Sequence, residues 1–401
     1  MSRDFYEFFC PVKVIAGERA LEHIPFELGL LGAARPMILT DKGVIAAGLL
    51  AHVQKALASS GVAIGAVFDE VPQDSSLATV RAAAARYREA GCDAILAVGG
   101  GSVIDTSKGV NILVSDAGDV AEGGGDLLRY AGAHHLKKPL RPLFVVPTTA
   151  GTGSEVTLVA IISDETRGVK VPFTSTFLMP NAAVLDPRMT QTLPAHLTAM
   201  TAMDAMTHAM EAYTCLAANP LSDAYATSAI QKISNHLLPV LDDLKSPLGR
   251  LELAQASTMA GIAFSNSMVG LVHALGHTLG SMTHLPHGVC MNLFLPYVLE
   301  YNLPVASDRI GELLLPLAGP DIYASTPKGR RGTETITQLR RLRDTLNARC
   351  KLPRTIQETG KLDRSALRTL AERALDDGPV AFNPREADLS DMIGIVERAW
   401  G

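Results

Sequence analysis

The chain lacks the features that would direct it to nucleic acid or into a membrane. Aromatic residues make up only 5% of its 401 residues, which disfavours a surface for base stacking. Lys and Arg number 36 against 41 Asp and Glu, so the net charge is −5, and no basic stripe offers electrostatic attraction for nucleic acid. The longest apolar runs, such as 156–162, are far shorter than the roughly 20 residues of a membrane helix. We therefore expect neither a nucleic acid nor a membrane as a partner.

Cysteine is also scarce, and its spacing excludes two further classes of protein. The five cysteines are widely separated: Cys10, Cys92, Cys215, Cys290 and Cys350. Without a CxxC pair, neither a disulfide framework nor a thiolate metal site is expected. Asp4 and Glu7 precede any apolar run, unlike the layout of a signal peptide. The sequence therefore predicts a soluble cytoplasmic protein, and an enzyme by default.

The first half of the chain alternates strand-like and helix-like segments. The strand-like runs cover residues 36–40, 62–68, 94–98 and 143–146, with further short ones at 156–163 and 182–185. Continuous apolar strands alternating with helices predict a Rossmann-like parallel sheet covered on both faces. From about residue 194 the chain has helical spacing and no convincing strand. We predict an α/β domain over 1–190 and an all-α domain over 191–401, with an exposed loop at 319–334.

Two polar loops follow predicted strands. Gly99, Gly100, Gly101 and Ser102 directly follow a strand and open a helix, where backbone N–H groups and the helix dipole favour a phosphate. The spacing is neither GxGxxG nor a Walker loop, so a tight strand-to-helix turn is the alternative. The second loop, 147–155, reads PTTAGTGSE. Because ligands bind outside the carboxyl ends of such strands, the pair of loops predicts a dinucleotide site.

Asp41 ends an earlier strand, where a carboxylate can accept hydrogen bonds from ribose hydroxyls. A carboxylate there would repel a 2′-phosphate, so Asp41 favours NAD over NADP. The alternative is a helix N-cap for the segment that begins near Gly43.

A cluster of histidines lies in the second half. Asp204 and His208 are four residues apart in an almost wholly apolar helical run, which indicates a buried helix rather than an exposed polar pair. His273, His277 and His284 are expected to share one helical face, and His287 follows a break at Pro286. Such a cluster predicts a metal site for Fe²⁺, Zn²⁺ or Mn²⁺. Spacing alone leaves open which four of these six residues bind the metal, and the absence of HExxH excludes a zinc protease of that class.

With these residues in hand, the chain resembles the iron-containing (group III) alcohol dehydrogenases, the family of lactaldehyde reductase and 1,3-propanediol dehydrogenase. The resemblance extends from about Phe5 to the C-terminus. Its densest stretches are GGGSVIDTSKG, PTTAGTGSEVT, LPAHLTAMTAMDAMTHAMEAY and GLVHALGHTLGSMTHLPHGVCMNLFLPYVLEYN. It implies a dehydroquinate-synthase-like architecture and, with it, an NAD- and metal-dependent alcohol dehydrogenase or aldehyde reductase.

The resemblance also implies roles for individual residues. It implies that the metal ligands are Asp204, His208, His273 and His287. It places His277 near the nicotinamide and substrate as the candidate catalytic residue, and it matches no ligand position to His284. Dinucleotide-contacting positions are implied at Asp41, Gly99, Gly100, Gly101, Ser102, Asp105, Thr148, Thr149, Thr152 and Lys170. The segment SNSMVG stands where the family more often shows NNASLG, and 319–334 looks like an insertion.

The expected reaction moves a hydride between a nicotinamide and a small primary alcohol or aldehyde, with the metal polarising the substrate oxygen. We expect His277 to relay the alcohol proton to solvent. A homodimer or larger homo-oligomer is expected. One alternative is a sister enzyme of the same architecture, either a polyol dehydrogenase or a dehydroquinate-synthase-like lyase. Another is a non-catalytic sensor of metal or nucleotide.

Overall fold

The structure is a computed structural model that describes residues 5–58, 60–115 and 126–401. The strands in chain order are β1 (Lys13–Ala16), β2 (Pro36–Leu39), β3 (Ala66–Phe68), β4 (Ala94–Gly99), β5 (Gly132–Ala133), β6 (Leu143–Pro147), β7 (Val159–Asp164), β8 (Val169–Thr174) and β9 (Ala182–Leu185). The helices of the first half are α1 (Ile24–Leu30), α2 (Lys42–Ala46), α3 (Leu49–Ala58), α4 (Leu77–Glu89) and α5 (Gly101–Ser115).

The second half contains only helices among its described elements. They are α6 (Ala195–Thr214), α7 (Pro220–Asp242), α8 (Pro247–Ser265), α9 (Leu271–Thr283), α10 (His287–Glu312), α11 (Leu314–Ala318), α12 (Pro320–Ser325), α13 (Arg331–Cys350), α14 (Ile356–Thr359), α15 (Leu367–Ala374) and α16 (Leu389–Trp400). The predicted fold class, an α/β half followed by an all-α half, is confirmed.

The chain forms two compact units. The sheet unit comprises Cys10–Thr192 and Lys245–Thr258, and the helical unit comprises Met1–Phe9, Leu193–Leu244 and Met259–Gly401. None of the described helices combines the length and hydropathy required to cross a bilayer.

The sheet unit is built on a six-stranded parallel sheet in the order β1-β9-β6-β4-β2-β3. Successive residues of its central strands alternate between two separate apolar cores. Met37, Ile95 and Val145 face one core, and Ile38 and Leu96 face the other. This alternation explains why the central strands are apolar at every position, since both faces of the sheet are covered.

A second, smaller sheet was not predicted. It has three strands in the order β5-β8-β7, and β7 and β8 pair antiparallel. The predicted strand at 156–163 therefore belongs to this hairpin and not to the parallel sheet. The predicted strand at 62–68 is ordered as a strand only over Ala66–Phe68. Strands β1 and β8 escaped prediction because each has exposed positions and neither forms a continuous apolar run.

In the helical unit, α6 is buried along almost its whole length, from Thr198 to Thr214. The expectation of a buried helix around Asp204 and His208 is confirmed.

Residues 319–334 are largely exposed, as predicted, but the prediction that they form a loop is wrong. Gly319, with φ of 86°, and Pro320 instead mark the start of α12, since proline suits the first position of a helix. Gly332 lies in the first turn of α13, where a Cβ would lie 3.1 Å from the carbonyl oxygen of Ser307 on α10. Gly319 and Pro320 therefore begin a helix, and Gly332 allows two helices to pack closely.

Candidate metal centre and dinucleotide loops

Three helices supply the four residues that the resemblance implies as metal ligands. Asp204 and His208 lie one turn apart on α6, His273 lies in the first turn of α9, and His287 is the first residue of α10. Each residue offers a ligand atom that lies within 4.8 Å of those of the other three. Packing thus brings into one cluster residues that are up to 83 positions apart in the sequence (287 minus 204). We call these four residues the quartet.

The quartet fits a divalent cation. Asp204 Oδ1 lies 3.4 Å from His287 Nε2 and 3.9 Å from His208 Nδ1, and two ligands at about 2.1 Å from a tetrahedral ion lie about 3.4 Å apart. Within the described part of the chain, Asp204 Oδ1 and His273 Nε2 are buried without a hydrogen-bond partner. Buried polar atoms are normally paired, and a bound cation would satisfy both. Imidazole and carboxylate ligands without a thiolate suit Fe²⁺, Zn²⁺ or Mn²⁺.

Burial also shifts the pKa values of two members of the quartet, Asp204 and His273. It raises the pKa of the Asp204 carboxyl, against the opposing influence of His208 and His277. Burial likewise holds the pKa of His273 well below its ordinary value, and the neighbouring His287 and His277 act in the same direction. His273 is therefore neutral and retains a lone pair for a metal, while a cation would favour ionised Asp204.

His277 lies outside the quartet but beside it. It is one turn after His273 on α9, and the centroid of its ring is 5.5 Å from that of His287. Its Nδ1 lies 2.7 Å from Asp377 Oδ2, and its side chain is 44% exposed. The His277 ring therefore lies next to the quartet and is partly exposed to solvent, and the Asp377 carboxylate holds it in place.

His284 does not share the helical face of His273 and His277, so this part of the prediction is wrong. Helix α9 ends at Thr283, and His284 is its C-cap in the left-handed conformation, with φ of 55° and an exposed side chain. The helix ends here because Leu285 precedes Pro286, and a residue before proline disfavours the helical conformation.

The two predicted dinucleotide loops lie side by side in the sheet unit. They follow β4 and β6, which pair with Gly99 opposite Pro147, so both loops leave the same carboxyl edge. A Cβ on Gly100 would lie 3.3 Å from Thr149 Oγ1, and a Cβ on Gly101 would lie 3.0 Å from Thr152 Cγ2. Helix α5 begins at Gly101. The arrangement offers a helix N-terminus next to threonine hydroxyls, which is chemistry suited to phosphate.

Hydrogen bonds hold the remaining residues of these loops in place. Thr148 N donates to the carbonyl oxygen of Gly99 at 3.1 Å, and the Ser102 hydroxyl donates to the carbonyl oxygen of Gln73. Asp105 accepts from Ser154 Oγ at 3.2 Å and, through its other oxygen, from the N–H of Ile161 at 3.0 Å. In the structure, Asp105 therefore ties α5 both to the second loop and to β7.

Asp41 and Lys170 lie on other elements of the sheet unit. Asp41 follows β2, the neighbour of β4, and its Oδ1 caps α2 by accepting from Val44 N at 2.9 Å. The N-cap reading of Asp41 is thus confirmed. Lys170 lies on β8, half exposed, with its Nζ 2.8 Å from Asp74 Oδ1.

Three charged residues that sequence analysis did not single out lie at these sites. Glu211 contacts His273, and Asp377 contacts His277. Lys108 is fully buried in α5, and its Nζ donates to Thr157 O, Thr157 Oγ1 and Val159 O; burial lowers its pKa to about 8. Glu211 could have been found from its spacing, because it continues the face of Asp204 and His208 at the next turn. Asp377 carried no such signal.

Comparison with known proteins gives a family match for each half of the chain. Residues 11–187 match the family described as "Iron-containing alcohol dehydrogenase", and residues 198–400 match the "Fe-containing alcohol dehydrogenase family, C-terminal". Together the two matches cover almost the whole chain.

Individual relatives are similar over their full lengths. Alcohol dehydrogenase 4 of Saccharomyces cerevisiae (strain YJM789) is 34% identical over 395 residues, which are 98% of this chain and 98% of the relative. The NAD-dependent methanol dehydrogenase of Bacillus methanolicus is 32% identical over 392 residues, 98% and 99% of the two chains. Among solved structures, a 1,3-propanediol oxidoreductase superposes with a TM-score of 0.91 at 32% identity, covering 99% of this chain and 100% of the other.

Proposed function

Because the chain belongs to the iron-containing alcohol dehydrogenase family, we propose that it transfers a hydride between NAD and a small primary alcohol or aldehyde. A divalent cation, Fe²⁺ with Zn²⁺ or Mn²⁺ as alternatives, would be held by the quartet of Asp204, His208, His273 and His287. The observation that carries the proposal is the convergence of one carboxylate and three imidazoles from three helices.

The choice of NAD rests on Asp41 and on the relatives. A carboxylate at the end of β2 favours ribose hydroxyls over a 2′-phosphate, and one relative is named an NAD-dependent methanol dehydrogenase. A small, weakly polar substrate is supported by the Ala, Leu, Met and Thr residues that flank the histidines. The 1,3-propanediol oxidoreductase among the similar structures agrees with a short alcohol.

The chain's own residues would bind, orient and deprotonate the substrate. When bound, the cation polarises the substrate oxygen and the nicotinamide exchanges the hydride. Asp204 and His273 supply buried ligand atoms that have no hydrogen-bond partner in the described chain. Glycine and threonine groups of the two loops would seat the pyrophosphate through backbone N–H groups and hydroxyls.

His277 is proposed to move the proton. Asp377 accepts from Nδ1 of His277 at 2.7 Å, which leaves Nε2 free to take the proton of the alcohol. Because the side chain is 44% exposed, the ring can then release that proton to water. Reduction of an aldehyde would use the same path in reverse.

Purification without oxygen, followed by metal analysis and assays of NADH absorbance with a panel of aldehydes, tests the proposal. We expect bound metal near one equivalent and turnover with short aldehydes. We expect His273→Ala to lose most of its metal and more than about a hundredfold in activity, since even a partner of a ligand costs 10–100-fold. Its circular dichroism should match that of the unaltered protein.

His284→Asn is the matched control, since it removes a histidine outside the quartet and asparagine accepts the left-handed conformation. This variant should keep its metal. Full activity of His273→Ala at unchanged metal content would refute the ligand assignment. Binding of metal and NADH without turnover of any alcohol or aldehyde would indicate the sensor instead.

A further inference from the structure

We propose that Glu211 is a positioning residue of the metal centre: its carboxylate holds the His273 ring so that Nε2 is the atom offered to a divalent cation. The proposal rests on the proposed function in one respect, because it takes the quartet to be a metal site. The contact between Glu211 and His273 does not depend on that assumption.

The contact joins two buried side chains from different helices. Glu211 Oε2, on α6, lies 2.5 Å from His273 Nδ1, on α9, and the two side chains are only 4% and 3% exposed. The other ring nitrogen of His273, Nε2, is buried and lacks a hydrogen-bond partner among the described residues. One edge of the ring is therefore held by Glu211, and the opposite edge points to the remaining members of the quartet.

The chemistry of the pair selects one tautomer. An ionised carboxylate can only accept hydrogen bonds, and a neutral imidazole carries one N–H. With Glu211 at Nδ1, the proton of His273 lies on Nδ1 and the lone pair lies on Nε2. Carboxylates that hold the second nitrogen of a ligating histidine act in this way in other metal sites.

Glu211 also holds the start of the helix that carries His273. Helix α9 has Gly270 as its N-cap, which has no side chain to cap it. The other oxygen of Glu211, Oε1, accepts from Val272 N at 2.7 Å and takes the place of a capping side chain. A Cβ on Gly270 would lie 3.1 Å from this oxygen, so glycine permits the close approach. The Glu211 carboxylate thus orients His273 and also helps to hold the start of α9, where Asn383 Oδ1 accepts from Leu271 N at 3.5 Å.

The spacing on α6 makes this arrangement possible. Asp204, His208 and Glu211 lie at i, i+4 and i+7, which places them on one helical face. Asp204 and His208 belong to the quartet. Glu211 contacts a third member, His273, at Nδ1, the ring nitrogen that is not offered to the cation.

Glu211→Gln tests the proposal with almost no change of volume. If the Gln oxygen keeps capping Val272 N, its NH₂ group faces His273 Nδ1, which favours the tautomer with the proton on Nε2. We expect affinity for Zn²⁺, measured by competition with a chelating dye, to fall 10–100-fold. Nitrogen NMR of the imidazole rings in metal-free protein should show the His273 proton moving from Nδ1 toward Nε2. A merely structural role would leave that signal unchanged.

Glu155→Gln is the matched control. Glu155 is equally buried, at 2% exposure, and its Oε1 accepts from Thr258 Oγ1 at 2.7 Å, but it belongs to the sheet unit. The same chemical change there should leave Zn²⁺ affinity and the ring signals as they were. In a double-mutant cycle, Glu211→Gln should lower Zn²⁺ affinity no further once His273 is replaced by alanine.

The proposal is overturned if folded Glu211→Gln binds Zn²⁺ within twofold of the unaltered protein, or if its effect persists in full in His273→Ala. If the Gln variant fails to fold, Glu211→Asp replaces it, since the shorter carboxylate cannot reach both partners, and the same losses are expected. If the unaltered protein binds no divalent cation, the proposed function fails. The NMR measurement on metal-free protein still decides the orientation of His273 in that case.

Discussion

Asp41 has one carboxylate oxygen engaged by the fold and one available. Oδ1 caps helix α2 through Val44 N, while Oδ2 accepts no hydrogen bond from the described residues. The two interpretations of Asp41 that the sequence allowed, an N-cap and a ribose ligand, are therefore compatible. The same residue can order the loop after β2 and present a negative charge to a cofactor at that edge of the sheet.

Asp41→Gly should admit NADP. Like-charge contact costs several kcal/mol, so removal of the carboxylate is expected to raise kcat/KM with NADPH by about tenfold or more. Glycine is the suitable replacement because replacing an N-cap aspartate with glycine lowers stability by only a few tenths of a kcal/mol. Initial rates with NADH and NADPH measure the effect.

Asp388→Gly is the control for Asp41→Gly, because it also removes an aspartate N-cap, here from α16. It should not change the cofactor preference. Unchanged NADPH turnover in Asp41→Gly would show that Asp41 does not face the ribose.

At the scale of elements, the quartet depends on how closely α6 and α10 approach each other. His287 is followed by Gly288, and a Cβ on Gly288 would lie only 2.5 Å from the backbone oxygen of Met200 on α6. Because a backbone atom cannot move aside as a flexible side chain does, only glycine lets α10 begin at this position. The close approach brings His287 within 3.4 Å of Asp204.

Gly288→Ala should push the start of α10 away from α6. Overpacking of this kind costs about 1–3 kcal/mol of unfolding free energy, and we expect Zn²⁺ affinity to fall at least tenfold as His287 shifts. Chemical denaturation and Zn²⁺ titration give the two values.

Gly394→Ala is the control, since a Cβ there meets nothing within 4 Å on helix α16. It should be neutral or slightly stabilising. Zn²⁺ binding by Gly288→Ala at the affinity of the unaltered protein would show that α10 can shift without disturbing the quartet.

At the scale of the whole molecule, a cation would link helices that are distant in the chain. Its ligands come from α6, α9 and α10, which all belong to the helical unit. A ligand that binds only the folded state adds RT ln(1 + [L]/Kd) to stability. Metal binding should therefore act on this unit as a cross-link that depends on concentration.

Saturating Zn²⁺ should slow amide hydrogen exchange in α6, α9 and α10. At a free Zn²⁺ concentration of 100 times Kd, the free energy of opening the site rises by about 2.7 kcal/mol. Amides that exchange through this opening should therefore exchange about a hundredfold more slowly. Hydrogen-exchange mass spectrometry with and without a chelator measures this.

His273→Ala provides the comparison, because it should show little protection at the same Zn²⁺ concentration. Exchange in the unaltered protein that is the same with and without Zn²⁺ would contradict a metal centre in the helical unit.

Local pattern was sufficient for the two-part fold and for most of the candidate residues. The apolar runs of β2, β4 and β6 predict a sheet covered on both faces, because burial on both faces leaves no position for a polar residue. The spacing of Asp204 and His208 predicts one face of a buried helix for the same kind of reason. These features repeat over a few residues, so the linear chain already contains them.

Contacts between distant segments were decided only by packing. Glu211 meets His273 across 62 positions, and His277 meets Asp377 across 100, so no local period could reveal either pair. Histidine spacing likewise suggested His284 as one of six candidate metal ligands. Helix α9 ends at Thr283, however, so His284 does not continue the helical face of His273 and His277. The arrangement of helices is set by the sum of many apolar contacts, and this arrangement determines which polar groups end up facing each other.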